Sequence, residues 1–395
     1  MSRKSKRSIA ESRVLALAIL AVCLGVALAA CGGSSSSSST TASETEGAKQ
    51  TEASTTPTGG GEGSSGMSEV DVGNGIKIPL SVKDMKIAMV LPGAETPFAV
   101  KEAETVEEVA QEYGIPVTQF NGETDVNHQY GLYQNVIDGG HYNVIITSAL
   151  DNNLDCEILS KTAPEKGVVV VLFNVALCST GDKPANSKGD ALWVPGTLAT
   201  VGISTNVEGM ESWAQACAKE AGNGVEAVLL NGIPGSANYK AMTKAFETTD
   251  LDVVANYATS YQPSEALEKV SASLLSHPDL KVIAGTYPLL TEGAIQALKS
   301  ASKAPGVDVK LCNLTGGTEN MLNAVKAGEV TVDQYVSPSG IAKAATQRVI
   351  EAAEGKPGPR VIVPGENGEI IKSGTVVWPP WYTKQTAGNY EPTGA

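Results

Sequence analysis

The side chains with the clearest chemistry in this 395-residue chain are hydrogen-bonding and aromatic groups that follow short apolar runs. One such run, Met85–Leu91, is ended by Pro92-Gly93 and predicts a buried parallel strand. Hydroxyl and amide groups bind a polar molecule through hydrogen bonds, and aromatic rings stack on it. These residue types predict a site for a small uncharged solute. The candidate ligand-binding residues in these loops are Thr96, Phe98, Ser148, Asn174, Ser236, Tyr261 and Tyr287.

The elements that must position these groups are strands that alternate with amphipathic helices. This alternation predicts βαβ units and parallel sheets covered by helices on both faces. One series runs from Met85 to Asn174 and a second from Val225 to Gln334, with Val201–Gly209 between them. We therefore predict an α/β chain with two Rossmann-like lobes. Ligands of such sheets lie beyond the carboxyl ends of the strands, where the candidate residues fall.

The sequence carries none of the common motifs for catalysis or cofactor binding. The chain has no strand–GxGxxG–helix pattern and no P-loop, so we expect no nucleotide cofactor. The three histidines, His128, His141 and His277, lack ligand spacing, and we expect no metal. Gly235-Ser236 lacks the second glycine of a nucleophile elbow. We predict that the protein is not an enzyme, although a Ser–His–acid arrangement brought together by folding stays open as an alternative.

Composition limits the possible partners. Hydrophobic residues make up 42% of the chain, charged residues 18%, and the formal net charge is −14. An acidic chain without a basic block is a poor ligand for nucleic acid, whose phosphates need clustered Lys and Arg. Residues 1–30 hold five basic residues and one acidic residue, so their removal would change the charge from −14 to −18.

The first 80 residues are expected to direct and tether the protein. Residues 1–30 combine a basic leader with an apolar run too short for a comfortable membrane span, which is typical of a signal peptide. Leu28-Ala-Ala-Cys31-Gly resembles the lipobox of bacterial lipoproteins, so Cys31 is the expected lipidation site. A plain secretory signal is the alternative. Residues 31–80, rich in Ser, Thr and Gly at their start, are expected to be a disordered linker that holds the body at the extracytoplasmic face of the cell membrane.

Four cysteines lie beyond the leader and the lipobox, namely Cys156, Cys178, Cys217 and Cys312. Outside the cytoplasm such residues favour disulfides, and four cysteines allow three connectivities. We favour Cys156–Cys178, because both residues lie just past predicted strands, and this leaves Cys217–Cys312. Four buried thiols are the alternative.

Several different short motifs follow one another over about 270 residues. They are Thr96-Pro-Phe98 after the first strand, Ser204-Thr-Asn206 followed by Gly209, Gly232-Ile-Pro-Gly-Ser236, and Lys326-Ala-Gly328 before a strand that ends in Gln334. Together they resemble the type I periplasmic binding proteins, in the branch that binds ribose and galactose and shares its lobes with LacI-type repressors. The resemblance implies a hinge crossed three times, near Ser204–Asn206, Gln334–Val336 and Arg360–Pro364. It also adds Asn206 and Gln334 to the expected ligand-binding residues.

The resemblance also implies the domain limits. We expect one lobe from residues 81–204 with 336–362, and the other from 205–335 with 363–395. The charged groups that such sugar sites use are mostly replaced here, for example by Asn174-Val175 in place of Asp-Arg. We therefore expect a neutral, partly apolar or sugar-like solute.

The function implied is that of a monomeric solute-binding lipoprotein of an ABC importer, with the permease subunits as partners. A receptor for a sensor kinase and, less favoured, an exported enzyme are the alternatives. The signal peptide and the missing DNA-binding headpiece argue against a repressor.

Overall fold

The structure is a computed structural model that describes residues 66–178, 192–202, 207–364, 370–371 and 381–393. The predicted leader, Cys31, most of the predicted linker and Asn206 lie outside these residues. The described residues belong to one compact unit.

The first lobe is built on a seven-stranded sheet with the order β14-β13-β7-β6-β5-β3-β4. Its strands are parallel except for β14, which is antiparallel to β13. The strands of this sheet are β3 (Ile87–Leu91), β4 (Val117–Asn121), β5 (Val144–Thr147), β6 (Val169–Phe173), β7 (Ala199–Val201), β13 (Val361–Pro364) and β14 (Ile370–Ile371). Every residue of β3, β5 and β6 is buried, as expected for strands covered on both faces. The helices of this lobe are α1 (Pro97–Glu112), α2 (Val126–Gly139), a π-helical turn (Ile158–Thr162) that continues into α3 (Ala163–Glu165), and α9 (Pro338–Ala353).

The second lobe is built on a six-stranded sheet with the order β15-β12-β11-β10-β8-β9. It is parallel except for β15, which pairs antiparallel with β12. Its strands are β8 (Glu226–Asn231), β9 (Asp252–Ala258), β10 (Val282–Gly285), β11 (Lys310–Gly316), β12 (Val332–Tyr335) and β15 (Trp381–Tyr382). Its helices are α4 (Val207–Ala221), α5 (Ala237–Phe246), α6 (Pro263–Ser276), α7 (Pro288–Ser300) and α8 (Glu319–Ala327). The predicted fold class, two α/β lobes with mostly parallel sheets, is confirmed.

The chain passes between the lobes where a strand of one sheet is followed by an element of the other lobe. β7 ends at Val201 in the first sheet, and α4 begins at Val207 in the second lobe. β12 ends at Tyr335 in the second sheet, and α9 then packs on α1 of the first lobe. The predicted crossing at Arg360–Pro364 is wrong, because β13 and β14 both belong to the first sheet. β15 is in the second sheet, whereas the described residues 363–364 and 370–371 are in the first, so these four residues do not belong to the second lobe as predicted.

The end of the predicted linker is also different. Residues 68–80 form an antiparallel hairpin, with strands β1 (Ser68–Gly73) and β2 (Ile76–Leu80). Asn74 and Gly75 turn the chain with φ of 55° and 75°, values that an Asn-Gly hairpin turn requires. The alternate residues Val70, Val72, Ile78 and Leu80 are buried in the core of the first lobe.

Candidate functional site

Three aromatic rings from both lobes form one wall of a cavity between the lobes. Phe98 lies in the first turn of α1, and Tyr287 is the residue that precedes α7. Their ring centroids are 6.5 Å apart at 75°, and those of Tyr261 and Tyr287 are 5.6 Å apart at 69°. Both pairs have the edge-to-face geometry that aromatic rings prefer. The rings therefore support one another and present an apolar surface to the cavity.

Tyr261 reaches this wall because the backbone around it is unusual. Its φ is 62°, a left-handed value that is rare for residues other than glycine, asparagine and aspartate. Its phenol ring lies against Gly232, where an added Cβ would lie 2.8 Å from the ring carbon Cζ. Only a glycine at position 232 leaves room for the ring. Burial raises the pKa of the Tyr261 hydroxyl, although hydrogen bonds with Asn238, Ile233 and Ser236 act in the opposite direction.

The Tyr287 hydroxyl of the second lobe bonds to the start of α1 in the first lobe. It makes hydrogen bonds with the Thr96 side chain and the Phe98 backbone. Burial raises the pKa of Tyr287 well above its ordinary value, so the hydroxyl stays protonated. Thr96 is also the N-cap of α1, where its Oγ1 accepts from the Ala99 amide at 3.2 Å. One threonine thus caps the N-terminus of α1 and contacts the opposite lobe.

Two further contacts join the lobes beside the cavity. The Ala237 amide at the start of α5 donates to the Leu150 carbonyl at 3.1 Å. Lys240 Nζ lies 3.3 Å from Asp151 Oδ2. Partial burial raises the pKa of Asp151, but the amides of Asn153 and Leu154 and the Lys240 charge together bring it below its ordinary value. The lobes are therefore in contact on two sides of the cavity, and the cleft is closed.

A buried glutamine fixes the loop that follows β5. Gln129 Nε2 donates to the Ser148 carbonyl at 2.9 Å, and its Oε1 accepts from the Leu150 amide at 2.8 Å. Gln129 is fully buried, so both bonds are protected from water. They hold Ser148 at the cavity and direct the Leu150 carbonyl towards the second lobe.

A buried carboxyl group lies in the wall formed by the first lobe. Glu102, one helical turn after Phe98, is only 2% exposed. Asn174 Nδ2, just after β6, donates to Glu102 Oε1 at 2.7 Å. Burial raises the pKa of Glu102 to about 8, while the Asn174 bond partly offsets this rise. The carboxyl is therefore mostly protonated at neutral pH.

The cavity has a volume of about 120 Å³. Seven of the residues predicted from the sequence line it: Thr96, Phe98, Ser148, Asn174, Ser236, Tyr261 and Tyr287. Ser236 is the N-cap of α5 and is 2% exposed. Gln334 is buried in β12 and is not among the described residues that line the cavity.

Sequence reasoning missed several polar residues of the lining. Thr124 lies in the loop after β4, Asn238 lies in the first turn of α5, and Thr315 lies near the carboxyl end of β11. All three therefore lie close to the carboxyl end of a strand, and this position was a usable signal. Glu102 lies inside α1, four residues after Phe98, so the two side chains share one face of the helix. An acidic residue on that buried face was the available signal.

A second buried polar cluster lies behind the cavity, in the sheet of the second lobe. Thr291 Oγ1 donates to Asn313 Oδ1 at 2.7 Å, and Asn313 Nδ2 donates to Asp333 Oδ1 at 2.7 Å. The Tyr382 hydroxyl of β15 donates to Asp333 Oδ2. Burial raises the pKa of Asp333 to about 7, although hydrogen bonds from Tyr382, Asn313 and two backbone amides counteract it. This cluster fixes β15 to the strand that precedes the crossing at Tyr335.

Each lobe contains one disulfide. Cys156 is bonded to Cys178 in the first lobe, and Cys217 of α4 is bonded to Cys312 of β11 in the second. These are the two pairs favoured from the sequence. No cluster of His, Cys, Asp or Glu suited to a metal ion occurs in the described part of the chain. In the same residues, no helix has the length and apolarity that a bilayer span would require.

Two α/β lobes closed over one lined cavity define a two-lobed binding protein. The chain belongs to the periplasmic binding protein domain family, whose sequence model matches residues 87–357. The ribose import binding protein of Bacillus subtilis is 23% identical over 280 residues, which cover 69% of this chain and 83% of that protein.

Solved structures share the fold. One from Mycobacterium smegmatis, in complex with β-D-fucofuranose, has a TM-score of 0.62 and 18% identity, over 77% of this chain and 93% of that one. The binding protein of the arabinose ABC transporter from Shewanella sp. ANA-3, bound to L-arabinofuranose, has a TM-score of 0.60 and 16% identity, over 77% and 94% of the two chains.

Proposed function

We propose that this protein is the extracytoplasmic solute-binding component of an ABC import system and that it holds a small uncharged polar solute, such as a sugar or polyol, between its lobes. The observation that carries this proposal is the cavity between the lobes, whose lining combines three aromatic rings with hydroxyl and amide groups. Its described lining contains no Lys, Arg or His, so a solute with a negative charge would find no counter-charge.

The contacts between the lobes support a cycle of opening and closure. The Tyr287–Thr96 bond, the Ala237–Leu150 bond and the Lys240–Asp151 pair all span the cleft. Separation of the lobes would break all three and expose the aromatic wall to water. A bound solute would favour the closed form by its contacts with both walls, and the closed form would be the one that docks on the permease.

The test is isothermal titration calorimetry of the purified protein. Candidate solutes are D-ribose and L-arabinose, sugars named for the similar proteins, together with myo-inositol, nucleosides and small amides. We expect stoichiometric binding of at least one sugar or polyol, with no product detectable after prolonged incubation. Binding only of anionic solutes, or turnover of a bound sugar, would contradict the proposal.

We further propose that lipid on Cys31 holds the protein at the membrane. Support comes from the order of basic leader, apolar run, small residues and Cys in residues 1–31. One acyl chain gives only marginal anchoring, whereas two or more give a stable attachment. Cys31→Ser should move the protein from the membrane fraction to the soluble fraction. A Cys31→Ser protein that stays in the membrane fraction would exclude this anchor.

A further inference from the structure

Glu102 is the one carboxylic acid among the described residues that line the cavity. It lies on the inner face of α1 with Phe98, and burial leaves it 2% exposed. Asn174 Nδ2 donates a hydrogen bond to Glu102 Oε1 at 2.7 Å. The side chain is therefore held in a fixed position against the cavity rather than in solvent.

The neighbours of Glu102 provide no positive charge in the described part of the chain. Lys101 on the same helix points away and pairs with Glu104 at 3.6 Å. The helix α9 packs on α1 and carries Lys343, which is exposed, and Arg348, whose Nε donates to the Pro359 carbonyl at 3.3 Å. The titratable groups that face the same space are the phenols of Tyr261 and Tyr287, which are neutral.

A carboxyl group in this setting has two ways to be satisfied. It can keep its proton and donate one hydrogen bond, or it can ionise beside a cation brought by the solute. The pKa of about 8 makes the protonated form the resting one at pH 7. A solute with an ammonium group would have to displace that proton, which weakens its binding about tenfold for each pH unit below that pKa.

We propose, resting on the function proposed above, that Glu102 is a specificity-determining residue whose protonated carboxyl donates a hydrogen bond to an oxygen atom of an uncharged solute. Asn174 holds Oε1, which leaves Oε2 as the donor oxygen of a residue that lines the cavity. The substrate class is therefore neutral and carries an acceptor oxygen, a hydroxyl or a ring oxygen, at the position that faces α1. Amino sugars are disfavoured.

The test measures affinity against pH by calorimetry, with D-ribose, D-galactose and myo-inositol as probes and D-galactosamine as the charged counterpart. The variant Glu102→Gln keeps an oxygen for Asn174 and an N–H donor for the solute, but it cannot titrate. Glu108→Gln, on the exposed face of the same helix, is the matched control.

For the wild type and the control we expect affinity for the neutral probe to fall about tenfold between pH 7 and pH 9, since a group with a pKa of about 8 loses its proton there. At pH 9 about one proton should be taken up on binding, measured in buffers of different ionisation enthalpy. Glu102→Gln should bind within about threefold of the wild type at pH 7, with no dependence on pH. If this variant does not fold, the wild-type profile and the proton uptake still test the proposal.

Tighter binding of galactosamine than of galactose at pH 6, with proton release, would overturn the proposal and indicate an ionised Glu102. A wild-type affinity that does not change from pH 7 to pH 9 would also overturn it, while leaving the proposed function intact. If none of the neutral probes binds at any pH, this inference fails, while the proposed function is decided by the wider set of solutes.

Discussion

Replacement of Asp333 by asparagine should remove part of the pH dependence of stability. Asp333 is fully buried in β12, where burial raises the pKa of its carboxyl from 3.8 to about 7. Because the folded state holds the proton more tightly than the unfolded state, the group stabilises the fold below about pH 4. That contribution is lost as the pH rises through 7.

The magnitude follows from the two pKa values. With 3.8 in the unfolded state and about 7 in the folded state, the contribution of Asp333 falls by roughly 2–3 kcal/mol between pH 5 and pH 8. An asparagine cannot titrate. The free energy lost because its hydrogen bonds with Asn313 and Tyr382 differ from those of the carboxyl group is therefore the same at both pH values. The change in the free energy of unfolding from pH 5 to pH 8 is therefore the quantity to compare.

The assay is urea unfolding at pH 5 and pH 8. We expect the wild type to lose roughly 2–3 kcal/mol more than Asp333→Asn over this interval. Asp252→Asn is the matched control, because Asp252 is exposed on β9. Burial also raises the pKa of Glu102 to about 8 and that of Asp155 to about 7. Both groups therefore also stabilise the fold more at pH 5 than at pH 8, but they are present in all three proteins, so their effect cancels in the comparison. Equal pH dependence in the wild type and Asp333→Asn would refute the reasoning.

Three other predictions concern the cleft and the second lobe. Phe98→Ala and Tyr261→Ala should each weaken solute binding by about 1–3 kcal/mol, measured by calorimetry, because stacking and buried area are lost. Replacement of both Cys217 and Cys312 by alanine should lower the free energy of unfolding by about 4.7 kcal/mol or less, since this bond closes a loop of 95 residues. Lys240→Ala should change solute affinity by at most about 1 kcal/mol, and the change should vanish in 0.5 M salt, because the lysine of this pair is 47% exposed.

Each of these predictions has a matched control. Tyr113→Ala removes an exposed aromatic ring at the end of α1 and should leave solute affinity unchanged. Loss of the Cys156–Cys178 bond, which closes a loop of 22 residues, should cost about 3.4 kcal/mol or less, and a larger loss than for the longer loop would contradict the entropic argument. Lys244→Ala, on the same helix as Lys240, should have no effect on affinity. A large, salt-independent loss for Lys240→Ala would show that the pair is stronger than an exposed ion pair.

The sequence predicted the lobes well because their signals are local. The apolar runs that become β3, β5 and β6 are bounded by turn residues and follow one another at regular intervals. Seven residues of the cavity were found by one rule, that ligands gather beyond the carboxyl ends of parallel strands.

The errors arose where long-range pairing decides the structure. β15 is two residues long and is defined only by its bonds to β12, so nothing in its own pattern could indicate it. The same holds for β14, whose pairing with β13 overturned the predicted third crossing. The β1–β2 hairpin had a readable local signal in Asn74-Gly75, but it followed a polar stretch that was assigned to the linker as a whole.

The β1–β2 hairpin belongs mechanically to the first lobe alone. Arg360 Nη1 donates to the Asp71 carbonyl at 2.7 Å and to the Leu198 carbonyl at 3.1 Å, while the Arg360 guanidinium lies 4.7 Å from the centre of the Trp193 ring. A force applied at residue 66 would therefore be borne by the first lobe and would not pull the lobes apart. If the proposed anchor holds the first lobe, the second lobe would be free to move towards and away from it, and solute capture would be insensitive to tension applied before residue 66.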